Sequence, residues 1–562
     1  MKSRRRDLVT AVALGAWLLA VGSEAADVKY QKPPKAVLDV FNAPAFPVAF
    51  PDPSGGTLLL ATPVLYPPIA DLAKPMLRLA GLRIDPTTNG EHHASYWSSL
   101  SLRKVADGSE TKVELPTGAR PGSPAWSADG KWFAFTNIAA KGIELWIGNA
   151  SNGQVRRLEG IRLNGIFGPM VSPLQWMPDQ KTLLVRLVPA DRGPAPAAAE
   201  TPEGPNVQES TGGRGPSSTY EVRDVLKNPH DEVLFDYYAL SQLALVDTAS
   251  GAISPLGKPA VYGTFSRSPD GQYVLVERIL HPYSYLHPYE RFPKDVEIWN
   301  RNGEVVYKLA SLPLADQVPI RGVPTGARNY TWLESGTLVW AEALDGGDPK
   351  KKVPHRDQLR ALQAPFNAKP TDLLKTEQRL VGLQDIEKSD LALITDWDVD
   401  RHWRRTLLVD LKSTERAPQL LWELSTDDRY RDPGLPSLKV LPNGNHVVRV
   451  DEGWIYLSSV GGSPDGDRPF LDRFNLNTRK FERLFRSDKS SLERFIAWVD
   501  TARGQFVTRR ESPVLPPNYF LRTLTKNAPK QIEAGEASVI SNLRPITQFP
   551  DPAPQLRRIK KQ

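Results

Sequence analysis

The chain has 562 residues, no cysteine, and 51 prolines beside 40 glycines. Without cysteine there is no disulfide, no thiolate nucleophile and no Cys-ligated zinc, and a composition so rich in turn formers argues against a helical bundle. The formal net charge of +7 sits mostly at the ends, a net +2 in residues 1–25 and +4 in the last six, so the nearly neutral body offers no stripe for tracking phosphates and nucleic-acid binding is not expected.

Met1–Ala25 has the three parts of an export signal. Lys2 to Arg6 is cationic, Leu8 to Gly22 is apolar, and Ser23-Glu24-Ala25 supplies small residues at a cleavage site, which predicts a mature start at Ala26 in the periplasm or outside the cell. The apolar stretch is short of the ~20 residues that a spanning helix needs. Arg4-Arg5-Arg6-Asp7-Leu8 is also compatible with a twin-arginine signal. Residues 26–75, with their proline-rich turns, are expected to form an N-terminal arm packed outside the main fold.

From residue 76 to 535 the chain repeats. Trp126, Trp176, Arg267, Trp332 and Val440 each stand three residues before a turn, at Asp129-Gly130, Asp179-Gln180, Asp270-Gly271, Ser335-Gly336 and Asn443-Gly444. Looser copies lie at Ile386–Asp390 and Trp498–Gly504. Asp, Asn and Gly belong in such turns because tight hairpins need a positive φ or local side-chain capping. A β-forming run follows each turn, and most units add a second hairpin, as in Ile143–Ile147 turning at Asn152-Gly153. A period near 50 residues with about four antiparallel strands per copy predicts an all-β fold, a seven- or eight-bladed β-propeller. A long β-sandwich array would not hold a tryptophan at one fixed place before the turn.

Two stretches interrupt the pattern. Pro189 to Ser218 is rich in Pro, Ala, Gly and Glu and reads as a flexible insertion, placed at 189–219. Asp345 to Pro370, with Lys350-Lys351-Lys352, reads as a long loop with one short helix.

Chemistry is sparse. The G-x-S-x-G nucleophile elbow is absent from these residues. The eight histidines are scattered, with no spacing that suits a metal, and no glycine-rich phosphate loop opens a helix. No cofactor, metal or catalytic residue is therefore assigned. The most specific segment is Val276 to Pro293, an aromatic, proline-stiffened loop where a short turn would be expected. Packing between blades would explain it; so would a loop facing a binding cavity. In the second case Arg278, Tyr283, Tyr285 and Arg291 are the candidates for a substrate path, since guanidinium groups pair bidentately with carboxylates.

The run Arg278–Pro293 resembles the propeller of the glutamyl-endopeptidase-like branch of the prolyl oligopeptidase family. So do Lys227-Asn228-Pro229-His230-Asp231-Glu232, Phe235-Asp236-Tyr237-Tyr238 and Gly204-Pro205-Asn206-Val207-Gln208-Glu209. The tail from 536 to 562, ending Phe549 to Gln562, is similar to that family's linker into its catalytic domain. The resemblance implies a C-terminal α/β-hydrolase domain with a Ser-Asp-His triad, capped by a propeller that admits peptides and unfolded segments. No position here receives the triad. The expectation is a non-catalytic, substrate-gating portion of an exported serine peptidase, inactive alone, whose peptide or unfolded-protein substrate is met through a hydrolase domain. The alternative is a free-standing periplasmic propeller that binds a peptide or protein partner; a polar face in place of a hydrolase contact would favour it, and a large apolar face would mark a lost partner.

Overall fold

The computed structural model describes residues 32–168, 171–197, 224–319, 321–413, 416–524 and 542–551. The signal segment, most of the 189–219 insertion including Gly204–Glu209, and most of the tail lie outside them. Among the described residues no helix is long and apolar enough to cross a membrane.

Contacts divide the chain into a larger unit, Ala45–Pro550, and a smaller one made of Met1–Pro44 with Asp551–Gln562. In the smaller unit the helix Lys35–Phe41 starts after Pro34, whose fixed φ suits a helix entry, and carries a Lys35–Asp39 pair one turn apart.

The larger unit is a succession of antiparallel sheets, mostly four-stranded, consistent with a β-propeller. The first sheet takes Val48–Pro51, Thr57–Pro63, Trp97–Lys104 and Glu110–Lys112; the second Ala125–Trp126, Trp132–Ala139, Gly142–Asn149 and Val155–Arg157. Units three and four share one strand. Ile253–Arg267 closes Leu174–Trp176, Thr182–Leu187 and Leu240–Asp247, then continues as the opening strand for Tyr273–Ile279, Lys294–Asn300 and Val305–Leu312. The fifth unit is Arg328–Trp332, Leu338–Ala343, Asp357–Leu362 and Thr371–Thr376, and the sixth Arg379–Asp385, Leu391–Asp398, Trp403–Asp410 and Gln419–Ser425. The seventh is built on Leu435–Pro436, Trp454–Ser459, Phe470–Asn475 and Phe481–Arg486, and the eighth on Leu492–Asp500, Gln505–Ser512, Leu515–Thr523 and Asn542–Pro545.

The middle strands of these sheets read as apolar runs because both their faces are covered by neighbouring sheets. Leu58, Leu59, Leu60 and Ala61 are all buried, as are Leu183, Leu184 and Val185. Clusters of such side chains fill the spaces between consecutive units. The last unit closes onto the first through Val507, Tyr519 and Ile546 against Leu58, Leu60 and Val105.

Two readings of the sequence are corrected. The stretch 26–75, expected as an arm outside the fold, supplies Val48–Pro51 and Thr57–Pro63 to the first sheet; its turn at Asp52–Gly56 lacks the preceding tryptophan, which is why the repeat hid it. The stretch 345–370 holds the strand Asp357–Leu362 and, among the described residues, no helix. Buried on both faces, that strand carries polar Asp357 and Gln358 inward, and this masks its period.

Alternation of strand direction sorts the connections. Turns joining first to second and third to fourth strands lie on one face of the larger unit, hereafter the turn face. Connections from second to third strands, and crossovers to the next unit, lie on the other, the connection face.

Candidate functional site

On the turn face the opening strands surround an axial cavity of about 890 Å³, lined among others by Trp126, Trp176, Arg267, Trp332, His446 and Trp498. Trp126, Trp176, Arg267 and Trp332 are anchors of the repeat, and for these four the position before the turn has a mechanical reason. Each reaches back to a backbone carbonyl of the preceding unit: Trp126 Nε1 donates to Phe50 O (3.0 Å), Trp176 Nε1 to Ala125 O (2.9 Å), Arg267 Nε to Trp176 O (2.8 Å) and Trp332 Nε1 to Ser266 O (3.4 Å). Arginine can replace tryptophan because both present one N–H at the end of a long side chain. Partial burial, and then the neighbouring Arg267 guanidinium, hold the His446 imidazole below its ordinary value.

The anchor at Val440 is different. In unit seven the turn at Asn443-Gly444 is the tip of a separate hairpin, Leu438–Val440 with His446–Val448. The turn into that unit's second strand is Glu452-Gly453, both at positive φ.

On the connection face the insertions of units one, three and four meet in one apolar cap. Leu79, Ile84, Phe167, Phe235, Tyr283 and Phe292 belong to its buried core. The helix Pro229–Ala239 forms here because Asn228 caps it, its side chain accepting from Asp231 N at 2.9 Å, with Pro229 at the first helical position. The two runs that carry the family resemblance pack on each other in this cap. The Phe235 ring meets Tyr283 and Phe292 edge-on at 5.1 and 5.7 Å, and Tyr283 and Phe292 stack at 4.7 Å. Asp236 accepts from the Tyr283 hydroxyl and lies 3.0 Å from His281 Nε2. Burial first, and Asp236 second, raise the Tyr283 phenol far above its ordinary value. Beneath the cap, Arg186 is fully buried, donates to Asn164 O and Gly263 O, and lies over the Phe167 ring at 4.6 Å.

The four substrate-path candidates are brought to this region, with different freedom. Tyr283 is buried in the cap core. Arg278 is partly exposed and held by Asp295 and Glu297 at 3.1 and 3.0 Å. Arg291 donates to Ala315 O and Val318 O, both at 3.1 Å. Tyr285 packs at the cap's margin, its phenol raised by burial and then by Glu232.

A cluster with no signature in the sequence lies between units five and six on the same face. Asp345 and Asp357 have no exposed side-chain surface. Arg379 bonds to both at 2.5 Å, Arg356 bonds to Asp345 at 2.8 Å, and Arg328 pairs with Asp357. Beside it is a cavity of about 550 Å³ bounded by Arg321, Arg328, Arg379, Trp397 and Asp400. Four distant stretches contribute to the cluster, so no local spacing could reveal it. Burial alone would raise the Asp345 carboxyl, but Arg379, Arg356 and the Gly347 N–H outweigh it and hold it below the ordinary value.

No family model matches the chain. Two curated proteins do. A "Probable glutamyl endopeptidase, chloroplastic" of Oryza sativa subsp. japonica is 34% identical over 571 residues, covering 95% of this chain and 58% of that protein. A protein of the same name from Arabidopsis thaliana is 32% identical, covering 95% of this chain and 57% of its own length. Among solved structures, a prolyl endopeptidase matches 90% of this chain and 60% of its own at 13% identity and a TM-score of 0.43, too distant to bear any argument. The chain thus spans less than two thirds of the curated relatives it matches, and along nearly all of its own length it is similar to these probable glutamyl endopeptidases.

Proposed function

We propose, from this kinship with the glutamyl endopeptidases, that residues 1–562 are the substrate-gating, non-catalytic part of an exported serine peptidase, and that the eight sheet units are blades of one eight-bladed propeller. One observation carries the reading. The six most exposed large apolar side chains of the larger unit, among the described residues, all lie on the connection face: Leu65 (62%), Tyr66 (63%), Ile69 (79%), Tyr430 (69%), Leu435 (68%) and Val514 (62%). They occupy one arc, from the crossover into unit seven through units eight and one. Such an arc is unfavourable in water unless something covers it.

The chain enters and leaves the propeller at the same arc. Tyr519 holds both ends: its hydroxyl accepts from Ala49 N at 2.9 Å and donates to Pro47 O at 3.1 Å, while its backbone N donates to Thr547 Oγ1 at 2.8 Å. The occupant we infer is the hydrolase domain that the resemblance implies, corresponding to relatives' sequence outside the match. Peptide-bond hydrolysis then belongs to that domain, since acyl transfer needs a nucleophile, its base and oxyanion donors together. The propeller decides which peptides or unfolded segments reach it, with the cap around Arg278, Tyr283, Tyr285 and Arg291 bordering the route. The segment Met1–Ala25 supports delivery to the periplasm or beyond. The alternative, a free-standing propeller that binds a partner, calls for a polar face where the apolar arc stands.

The test uses the purified chain and a separately produced hydrolase portion of the Oryza sativa relative. The chain alone should stay unlabelled by a fluorophosphonate probe; a stoichiometric adduct overturns the non-catalytic reading. The two parts should associate, and Ile69→Glu with Leu435→Glu should abolish the association. Unchanged binding by that double variant would overturn the docking face.

A further inference from the structure

The hairpin of unit seven stands outside the repeat, and its register shows how. In that unit Leu435 pairs with Ser458 and Pro436 with Leu457, and Ser437 N donates to Tyr456 O at 2.8 Å. The next pairs are Val450 with Ile455 and Asp451 with Trp454. Partner numbers descend without a gap from 458 to 454, whereas the opening strand jumps from 437 to 450. Residues 438–449 are therefore a clean excursion from a strand that is complete without them.

The excursion crosses the mouth of the axial cavity. Its base is held to unit six, where Val448 bridges Ile386 and Lys439 Nζ meets Glu387 Oε1 at 2.5 Å. Its tip reaches three other units. Arg267 Nη1 of unit four donates to Asn445 Oδ1 at 2.8 Å, and Gln180 Nε2 of unit three donates to Pro442 O at 3.1 Å. At Gly444 (φ +83°) a Cβ would stand 3.9 Å from Ala128 Cβ of unit two. The tip is fixed by two side-chain hydrogen bonds and by Leu441, which is 7% exposed, while the base is anchored by buried Val447 and Val448.

We propose that residues 438–449 form a movable plug over the axial channel. Release of its tip from units two to four, with the propeller otherwise intact, admits a polypeptide segment from the turn face. The claim concerns this chain alone and stands whether or not a hydrolase domain docks on the opposite face.

The chain has no cysteine, so a single Ala125→Cys, on the cavity wall, reports access. It should react with a small methanethiosulfonate but be protected from a maleimide carrying a polyethylene glycol of about 5 kDa, which is far larger than the ~890 Å³ cavity can admit. Deleting 438–449, which keeps the register, should raise the polymer's rate about ten-fold or more; an unchanged rate would overturn the plug. Should the deletion fail to fold, hydrogen exchange on the intact chain decides. Leu441 and Gly444 amides should exchange about ten-fold or more faster than those of Trp454–Ser459, by local opening, and Asn445→Ala, which removes the acceptor of the Arg267 bond, should accelerate them further. Equal exchange of tip and strand, or no acceleration by Asn445→Ala, would overturn the mobility.

Discussion

Replacing Tyr519 by phenylalanine tests how the propeller is closed. The ring is buried at 2% exposure between the first and last units, and the hydroxyl serves two backbone groups 470 and 472 residues earlier, Ala49 N–H and Pro47 C=O. Tyr519→Phe keeps the packing and removes both hydrogen bonds. Each is worth about 0.5–1.5 kcal/mol net, so local opening of the entry strand should become easier by about 1–3 kcal/mol. At about 1.4 kcal/mol per factor of ten, Ala49 amide exchange should accelerate by roughly 5- to 150-fold, with amides of the distant strand Leu338–Ala343 unaffected. Hydrogen exchange read by mass spectrometry measures both in one experiment. Tyr519→Ala removes the ring as well, and a loss of about 3–5 kcal/mol, typical of a buried aromatic, should then lower the whole unfolding transition. If Tyr519→Phe leaves Ala49 exchange unchanged, the hydroxyl does not clasp the entry strand and closure rests on apolar packing alone.

Gly55→Ala should destabilise more than Gly118→Ala, as read by thermal unfolding. Both glycines have φ above +70°, which alone costs about 1–2 kcal/mol for an L side chain, but a Cβ at Gly55 would stand 2.0 Å from Trp498 O while Gly118 faces open space. Asp345→Ala should cost about 3–5 kcal/mol, because it takes from Arg356 its carboxylate and leaves Arg379 with Asp357 alone beside a buried site. The Asp345 carboxyl lies below its ordinary value of 3.8 in the folded chain, so its contribution is fully present above about pH 4 and is lost as pH falls through the lower folded value; acid titration of stability should be shallower in Asp345→Ala over that window. Phe235→Ala should lower stability by about 3–5 kcal/mol and expose the 278–293 loop to limited proteolysis, while strands of unit six keep their protection.

The repeat was legible in units two to five because each anchor there obeys one local rule, an N–H on a long side chain just before a turn, and hydrogen bonding to the preceding unit makes that rule necessary. Copies were misread where two structures share the same local chemistry. Asn443-Gly444 suits a hairpin tip as well as a turn between the first two strands of a unit, and only the pairing of Val450 with Ile455 tells them apart. The second hairpin of unit one, at Ser101–Gly108, follows the repeat, but its two opening strands escape it because Phe50 gives a carbonyl, not a side-chain donor, to the anchor chain. At the cap, the sequence marked both the 227–238 and 278–293 runs, but not that Asp236 and Tyr283 join them. The Asp345–Arg379 cluster was invisible because it depends on which loops of neighbouring units touch.

The strand Ile253–Arg267, shared by units three and four, gives the larger unit an uneven mechanics. There the joint is one unbroken strand, paired with Leu240–Asp247 along 253–261 and with Tyr273–Ile279 along 262–267, so main chain with no intervening loop tethers the two units. Between units eight and one the joint is side chains and one phenolic hydroxyl. Strain applied by heat, by denaturant or by a polypeptide forced along the axis should therefore open the seam where the chain begins and ends its circuit before it parts units three and four.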